Sequence, residues 1–224
     1  MKETKTIKEM FDNIVGSYDF LNHTLSFFQD YYWRYQMFRE LLPLKEGLVM
    51  DLATGTGDSA KGVLKRGCKV LGVDLSFKML YKTKKKLKGE NFIPLTASGY
   101  ELPFKSDTFS AITCAFGIRN MHDTVNALKE IRRVLKKGGK VVFLEFCMPE
   151  GVFKHPYRLY LKRIMPLMAS LFSRKEAYDY LYHSIENFPK PDEFSDLLMS
   201  AGFNGYKRKP LSFGTVYIHR AHKF

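Results

Sequence analysis

The chain of 224 residues is short of several things, and each shortage removes a class of protein. Cysteine is scarce. Cys68, Cys114 and Cys147 are odd in number, far apart and without metal-ligand spacing, which argues against a disulfide scaffold or a metal site and for reduced, buried thiols in a cytosolic setting. No apolar run approaches the roughly 20 residues of a membrane span, and no apolar stretch follows the opening Met-Lys-Glu-Thr-Lys as a secretory signal would demand. Any membrane contact is therefore expected to be peripheral, at the cytoplasmic face. Acidic residues are the minority, 23 against 36 basic ones for a formal net charge of +13, and the excess lies beyond residue 50. That balance suits nucleic acid, anionic lipid or a phosphorylated ligand without choosing among them. Internal repeats, low-complexity segments and long Pro/Gly linkers are missing too, so one domain is expected: an N-terminal helical cap (1–45), a core (46–150), a helical insertion (151–190) and closing elements (191–224).

What is present is alternation. Apolar runs rich in β-formers, at Leu48 to Leu52, Lys69 to Val73, Phe92 to Leu95, Ser110 to Phe116 and Lys140 to Glu145, alternate with helical patterns at Asp58 to Lys65, Phe77 to Leu87 and Thr124 to Lys136. This predicts an α/β, Rossmann-like fold, a mostly parallel sheet with helices on both faces and ligands outside the carboxyl ends of the strands. Two helices are expected near 4–15 and 22–42, the second carrying Phe27, Phe28, Tyr31, Tyr32, Tyr35 and Phe38 and ending at Pro43. Most of these aromatics are expected in the core. An aromatic, basic, helical stretch at 153–183 interrupts the alternation, followed by a helix at Asp192 to Ser200 and strands near Tyr206 to Lys209 and Val216 to Ala221.

Asp51-Leu52-Ala53-Thr54-Gly55-Thr56-Gly57-Asp58 falls where the first strand meets the first crossover helix. Its glycines let a ligand approach the backbone, and the helix start offers unpaired N–H donors, so a nucleoside ligand is expected. The loop also satisfies the loose dinucleotide pattern. Asp51 favours S-adenosyl-L-methionine, because a carboxylate before the glycine turn repels a pyrophosphate and suits the cationic amino-acid end of that cofactor. Asp74, after the second strand, is placed to accept from a ribose diol, although Asp74 and Ser76 also read as a cap for the following helix.

Four further segments carry a resemblance. They are Tyr18-Asp19-Phe20-Leu21-Asn22-His23-Thr24-Leu25-Ser26 with Trp33; Phe116-Gly117-Ile118-Arg119-Asn120 with Asp123; Arg133 to Gly139 continuing to Glu145; and Ser212-Phe213-Gly214-Thr215 to His219. With the Asp51 loop they span almost the whole chain and resemble the menaquinone and ubiquinone biosynthesis C-methyltransferase family of class I methyltransferases. The resemblance implies methyl transfer from S-adenosyl-L-methionine to a ring carbon of a prenylated quinol, demethylmenaquinone-like or related. It implies cofactor contacts from Asp51, Ala53, Thr54, Gly55, Thr56, Gly57, Asp74, Leu75 and Ala115, and from Ser98 and Gly99, which stand where the family usually has an Asn-Ala pair for the adenine. Arg119 is then the candidate cation for a ring oxyanion. Asp19, His122 and Asp123 are candidate catalytic neighbours, with helix capping as the plainer role for Asp123 and an ordinary loop position for His122. Tyr18, Asn22 and Asn120 are candidate substrate contacts.

Residues 153–175 interleave Arg158, Lys162, Arg163, Arg174 and Lys175 with Tyr160, Leu161, Ile164, Met165, Leu167, Met168, Leu171 and Phe172, a mixture that suits a helix on an anionic membrane or a lid over the site. A nucleic-acid acceptor is disfavoured, since the fourth strand runs into Ala115-Phe116-Gly117-Ile118-Arg119 and not the Asn/Asp-Pro-Pro-aromatic block of amino-methylating enzymes, and no RNA-binding module is recognisable. Another small aromatic or lipid acceptor stays open, as does a homodimer.

Overall fold

The computed structural model describes residues 2–44, 47–169 and 175–224. Helices α1 (Lys2–Ile14), α2 (Tyr18–Leu25) and α3 (Gln29–Leu41) precede the alternating core. The second expected helix is split in two, and its start moves to Tyr18. The break is at Phe27 and Phe28, whose φ values of 51° and 59° are left-handed and cannot continue a helix. The aromatic stripe also faces the other way from expectation: Phe27, Phe28, Tyr31, Tyr32 and Tyr35 are exposed, while Trp33, Met37, Phe38 and Leu41 pack on the sheet. Spacing marks a face, and here the face with the i, i+4, i+8 series from Trp33 is the one that finds a partner.

The core runs β1 (Leu48–Leu52), α4 (Asp58–Leu64), β2 (Lys69–Asp74), α5 (Phe77–Lys86), β3 (Phe92–Thr96), β4 (Phe109–Ala115), α6 (Thr124–Val134) and β5 (Leu135–Phe146). The helix expected to reach Lys136 stops at Val134, where the chain already pairs Leu135 with Phe109 of β4. The insertion holds α7 (Lys154–Leu159), a π-turn at Tyr160–Ile164, α8 (Met165–Ala169) and α9 (Lys175–Glu186). Then α10 (Pro191–Ser200), β6 (Asn204–Leu211) and β7 (Val216–His222) close the chain.

The strands form one seven-stranded sheet in the order β3-β2-β1-β4-β5-β7-β6. The first five are parallel and β7 runs antiparallel between β5 and β6. Period-two alternation sends neighbouring side chains to opposite faces. Val141 and Phe143 meet α6 and α10 on one face, whereas Val142 and Leu144 meet α3 and α4 on the other. Because the strand order reverses between β1 and β4, the loops after those strands diverge and leave a crevice at their carboxyl ends. A satellite core of Leu21, Leu161, Met165, Tyr182 and Ile185 ties the insertion to α2, beside that crevice.

Candidate active site

Two cavities meet above β1 and β4. The first, about 800 Å³ with its mouth, is bounded by the turn after β1, the end of β2 and the turn after β4. Ala53, Gly55 and Gly57 take positive φ, which bends the chain sharply from strand into helix α4. A Cβ on Gly57 would meet the Thr83 methyl at 2.4 Å, so this glycine is needed for close packing on α5, while a Cβ on Gly55 would project into the cavity towards Tyr18. The Thr83 hydroxyl donates to the Gly55 carbonyl at 2.6 Å and holds the loop from behind.

Asp74 bridges the two loops: its oxygens accept the Gly55 and Ser76 N–H groups, each at 2.8 Å. Burial raises its pKa above the ordinary carboxylate value, with those N–H groups opposing the shift. The capping reading is also present, in Ser76, whose hydroxyl accepts the Met79 N–H and donates to Asp12 of α1.

The residues expected at the cofactor divide into two sets. Ala53, Gly55, Asp74, Leu75, Gly99 and Ala115 line the cavity. Asp51, Thr54, Thr56, Gly57 and Ser98 do not; they shape it from behind. Asp51 is almost wholly buried and accepts hydroxyl bonds from Thr54 and Thr113, both at 2.6 Å. Burial pushes its carboxyl up to about 6 against the pull of those hydroxyls. Ser98 spends its hydroxyl on the Tyr100 N–H at 3.3 Å in its own turn. Apolar walls from Leu75, Met79, Ala97 and Met121 complete the slot, and Ile7 and Phe11 of α1 cover it, a contribution that the sequence reading missed. A flat base between apolar walls, a diol near Asp74 and a small tail over the glycine turn describe S-adenosyl-L-methionine, and the residues present fit it.

The second cavity, about 1220 Å³ with its mouth, is mostly aromatic and aliphatic. It draws on α2, α3, the insertion, the end of β5 and the turn before β7. Tyr18 and Phe116 line both cavities and form the partition. Phe116 is held at φ 57°, a strained conformation for an aromatic residue, and a Cβ on the next residue, Gly117, would lie 2.5 Å from the Ala53 Cβ. The two turns therefore touch where the cavities join. Burial raises the Tyr18 hydroxyl pKa, while Arg119, Asn22 and Arg34 draw it back.

Arg119 lies on the wall of the second cavity. Its Nη1 donates to Glu145 at 2.6 Å and to the Phe116 carbonyl at 2.7 Å, and its guanidinium stands 5.3 Å from the centre of the Phe146 ring. Glu145 is fully buried, and its pKa is raised by burial against the opposing Arg119 charge. The sequence reading placed Arg119 in this turn and missed its buried counter-charge. Asn22 lines the same cavity. Asn120 lines the first, accepting a bond from Tyr180 at 2.9 Å.

The other candidate catalytic residues stand elsewhere. Asp19 turns away from both cavities: burial raises its pKa, but Thr56, Lys86 and Lys82 outweigh that and leave it lowered. His122 lies beyond the turn, 3.0 Å from the Tyr100 hydroxyl. Asp123 caps α6, accepting the Asn126 N–H at 3.0 Å. Arg34 of α3, absent from the sequence reading, does line the second cavity. No local signal marks it, because a basic residue after Trp33 reads as helix surface.

The switch-point crevice, the glycine turn after β1, the acidic residue ending β2 and the adjoining, mostly apolar cavity together define an S-adenosyl-L-methionine-dependent methyltransferase of the class I fold. The chain belongs to the ubiE/COQ5 methyltransferase family, whose model matches residues 1–223. It is 38% identical to the ubiquinone/menaquinone biosynthesis C-methyltransferase UbiE of Geotalea daltonii, over 97% of this chain and 96% of that one. It is also 38% identical to the demethylmenaquinone methyltransferase of Chlorobaculum tepidum, over 99% of this chain and 94% of that one. Among solved structures, an S-adenosylmethionine-dependent methyltransferase from Thermotoga maritima superposes with a TM-score of 0.72 at 22% identity, covering 96% of this chain and 99% of its own. Phosphoethanolamine N-methyltransferase 2 of Haemonchus contortus, in complex with S-adenosyl-L-methionine, gives 0.64 at 16% identity, over 85% of this chain and 52% of its own. At such identities these structures speak to the fold.

Proposed function

We propose that the enzyme methylates a ring carbon of a prenylated quinol, demethylmenaquinol-like, with the ring at the Tyr18–Phe116 partition and the prenyl chain in the second cavity. The carrying observation is the cavity itself: it is lined mostly by aromatic and aliphatic side chains, it shares Tyr18 and Phe116 with the cofactor slot, and it carries Arg119 on its own wall. The names of the two relatives point to the same acceptor.

When bound, the cofactor would supply an electrophilic sulfonium methyl to the ring carbon, with the neutral thioether as leaving group and the displaced ring proton released to solvent through the cavity mouth. The protein's task is to hold the ring in line and make it electron-rich. Keeping a phenol of pKa near 10 ionised at pH 7 costs about 4 kcal/mol, which a fixed cation beside the oxygen offsets. Arg119 is such a cation, with its direction fixed by Glu145 and the Phe116 carbonyl. Tyr18 and Asn22 orient the ring, and the apolar walls exclude water from the charged centre. Asp74, Leu75 and Gly99 would hold the nucleoside, with the buried Asp51 carboxylate behind the glycine turn.

A polyprenyl substrate resides in lipid, so the enzyme meets it at the inner membrane face. Among the described residues no helix is long and apolar enough to cross a membrane. Val152, Phe153, Leu159, Ile164 and Leu167 of the insertion are exposed, as are Phe27, Phe28 and Phe213, and Phe153 stacks on Phe213 at 4.6 Å. Phe27 and Phe213 lie on the cavity wall, so exposed apolar rings surround its opening. Of the cations first noted, Lys162 and Arg163 are exposed, Arg158 pairs with Glu186 at 2.7 Å, and Arg174 and the Lys175 side chain lie outside the described residues. Each basic residue near an anionic leaflet contributes about 1 kcal/mol.

The test of function is anaerobic incubation with a reduced prenylated naphthoquinol and methyl-labelled cofactor. A labelled ring-methylated quinol is the expected product, and its absence from an enzyme that binds cofactor rejects the reading. Co-sedimentation tests docking: anionic vesicles should be preferred over neutral ones, and the preference should fade with salt.

A further inference from the structure

We infer that Arg34 is a second acceptor-binding residue, a cation that holds one ring oxygen of the acceptor while Arg119 serves the other. The inference deepens the proposed function and rests on it. Its starting point is an incompletely compensated charge. Arg34 and Arg119 both line the acceptor cavity, and neither lines the cofactor slot. Both are well buried, and in each the Nε–H is buried with no hydrogen-bond partner among the described residues. They differ in how their charge is met. Arg119 has the Glu145 carboxylate at 2.6 Å. Arg34 has a neutral partner, the Ser59 hydroxyl at 2.8 Å from Nη1; among the described residues its ion-pair partner is Asp30, 3.8 Å from Nε and beyond hydrogen-bond length, while the buried Asp51 carboxylate feels its charge from further off. That carboxylate is already shared, accepting from the Ser26 hydroxyl at 3.0 Å and lying 2.8 Å from His23 Nδ1.

A buried guanidinium without a matched anion is costly, and such a group asks for a missing partner. The open side of Arg34 faces a cavity that, on the proposed function, receives an electron-rich ring with oxygens on opposite edges. Arg34 lies over the Phe116 ring at 5.4 Å from its centre, while Arg119 grips the Phe116 carbonyl. The two cations thus flank the residue that separates acceptor from cofactor. The Tyr18 hydroxyl on the same partition feels both of them. Arg119, oriented by Glu145 and the Phe116 carbonyl, meets the oxygen that ionises, and Arg34, whose partners leave more of its charge unmatched, holds the other.

The experiment uses the full-length protein and the fluorescence of Trp33, the chain's single tryptophan and part of the cavity wall. A short-chain 2-prenyl-1,4-naphthoquinol and its two monomethyl ethers are titrated anaerobically into native enzyme, R34Q and R34K, with cofactor affinity and melting temperature measured on each. R34Q should bind the quinol roughly 10- to 100-fold more weakly, the value of one charge-assisted hydrogen bond. It should no longer distinguish the quinol from the ether that caps the oxygen at Arg34, yet still reject the other ether as native enzyme does. Cofactor affinity should hold to within about twofold. R34K, which keeps the charge and loses the fork, should recover part of the loss for that same oxygen, and it carries the test if R34Q melts early. Native-like discrimination between the ethers by a folded R34Q overturns the inference, as does equal weakening of all three ligands, which would make Arg34 a wall residue only. Weakened cofactor with unchanged quinol binding would assign Arg34 to the cofactor's carboxylate instead. If native enzyme binds none of the three, the proposed function falls and this inference with it.

Discussion

The two cavities, proposed as cofactor slot and acceptor cavity, share a partition and are built in opposite ways. The slot is made by main chain: turns after β1 and β2, with Asp74 accepting two backbone N–H groups and glycines clearing the space. The acceptor cavity is made by side chains from segments up to about the length of the chain apart, and its charged centre is a buried pair between the turn after β4 and the end of β5. A site written in backbone turns tolerates little change in glycine or acid placement and binds one ligand. A site walled by packed side chains can be retuned one residue at a time, which suits an enzyme family whose acceptors vary. The two should therefore fail separately when mutated.

Arg119→Leu offers the largest separation. Turnover should fall about 10²- to 10³-fold with cofactor affinity preserved, since the charge acts on the developing oxyanion. The variant should also melt early, because Glu145 is left buried without its cation, a defect of about 3 to 5 kcal/mol. Adding Glu145→Leu should restore the melting temperature and leave turnover low. Recovery of both together would show that Arg119 acts through stability alone.

Asp74→Ala strikes the other side. Losing an acceptor of two charge-assisted bonds should weaken the cofactor about 100-fold or more by calorimetry, with quinol binding unchanged. Unaltered cofactor affinity, or tighter binding of NAD than of S-adenosyl-L-methionine by native enzyme, would remove the cofactor slot from the account.

Asp51 gives the comparison a pH signature. Its folded-state pKa of about 6 lies above the usual 3.8, so the native protein binds the proton more tightly than the unfolded chain does. The cofactor-free protein should gain stability from this group as pH falls from 6 towards 4 and lose it as pH rises, by at most about 3 kcal/mol, with no further change above pH 6. Asp51→Asn should abolish that slope in melting curves. An unchanged slope would assign it to other groups.

The smallest effect belongs to the insertion. The Tyr160 hydroxyl donates to the Leu25 carbonyl at 2.5 Å and pins the insertion to α2. Tyr160→Phe should cost about 1 kcal/mol of stability and raise the quinol KM a few-fold without touching cofactor affinity. A change in cofactor affinity would contradict the separation.

The contrast also explains what could be read in advance. The parallel core, the glycine turn and Asp74 were legible because each is local: strand period, turn chemistry and helix start lie within a few residues of one another. Tyr18, Asn22 and Arg119 came from the resemblance, and all three line the second cavity. Glu145 as Arg119's counter-charge and Arg34 as a second cation were illegible, because their partners are 26 and 25 residues away in sequence and meet only through the fold. The break at Phe27 and Phe28 was hidden for a different reason. Helical aromatic spacing continues through it, and the left-handed turn is closed by main-chain bonds, such as Phe28 N–H to the His23 carbonyl at 2.7 Å, that the residue types do not announce. The same spacing could not say that Phe27 and Tyr31 face outward while Trp33 and Met37 face the sheet.

The central claim is that methyl transfer occurs onto a ring carbon held at the partition between the two cavities. Incubation of native enzyme and Arg119→Leu with methyl-labelled S-adenosyl-L-methionine and a bacterial lipid extract, followed by mass spectrometry of the lipid and aqueous fractions, tests it most directly. The account predicts label on the ring of a prenylated quinol with native enzyme, and loss of that product with a variant that still binds the cofactor. Label appearing on an amine, on RNA or on a water-soluble acceptor, or undiminished ring labelling by the variant, would contradict it.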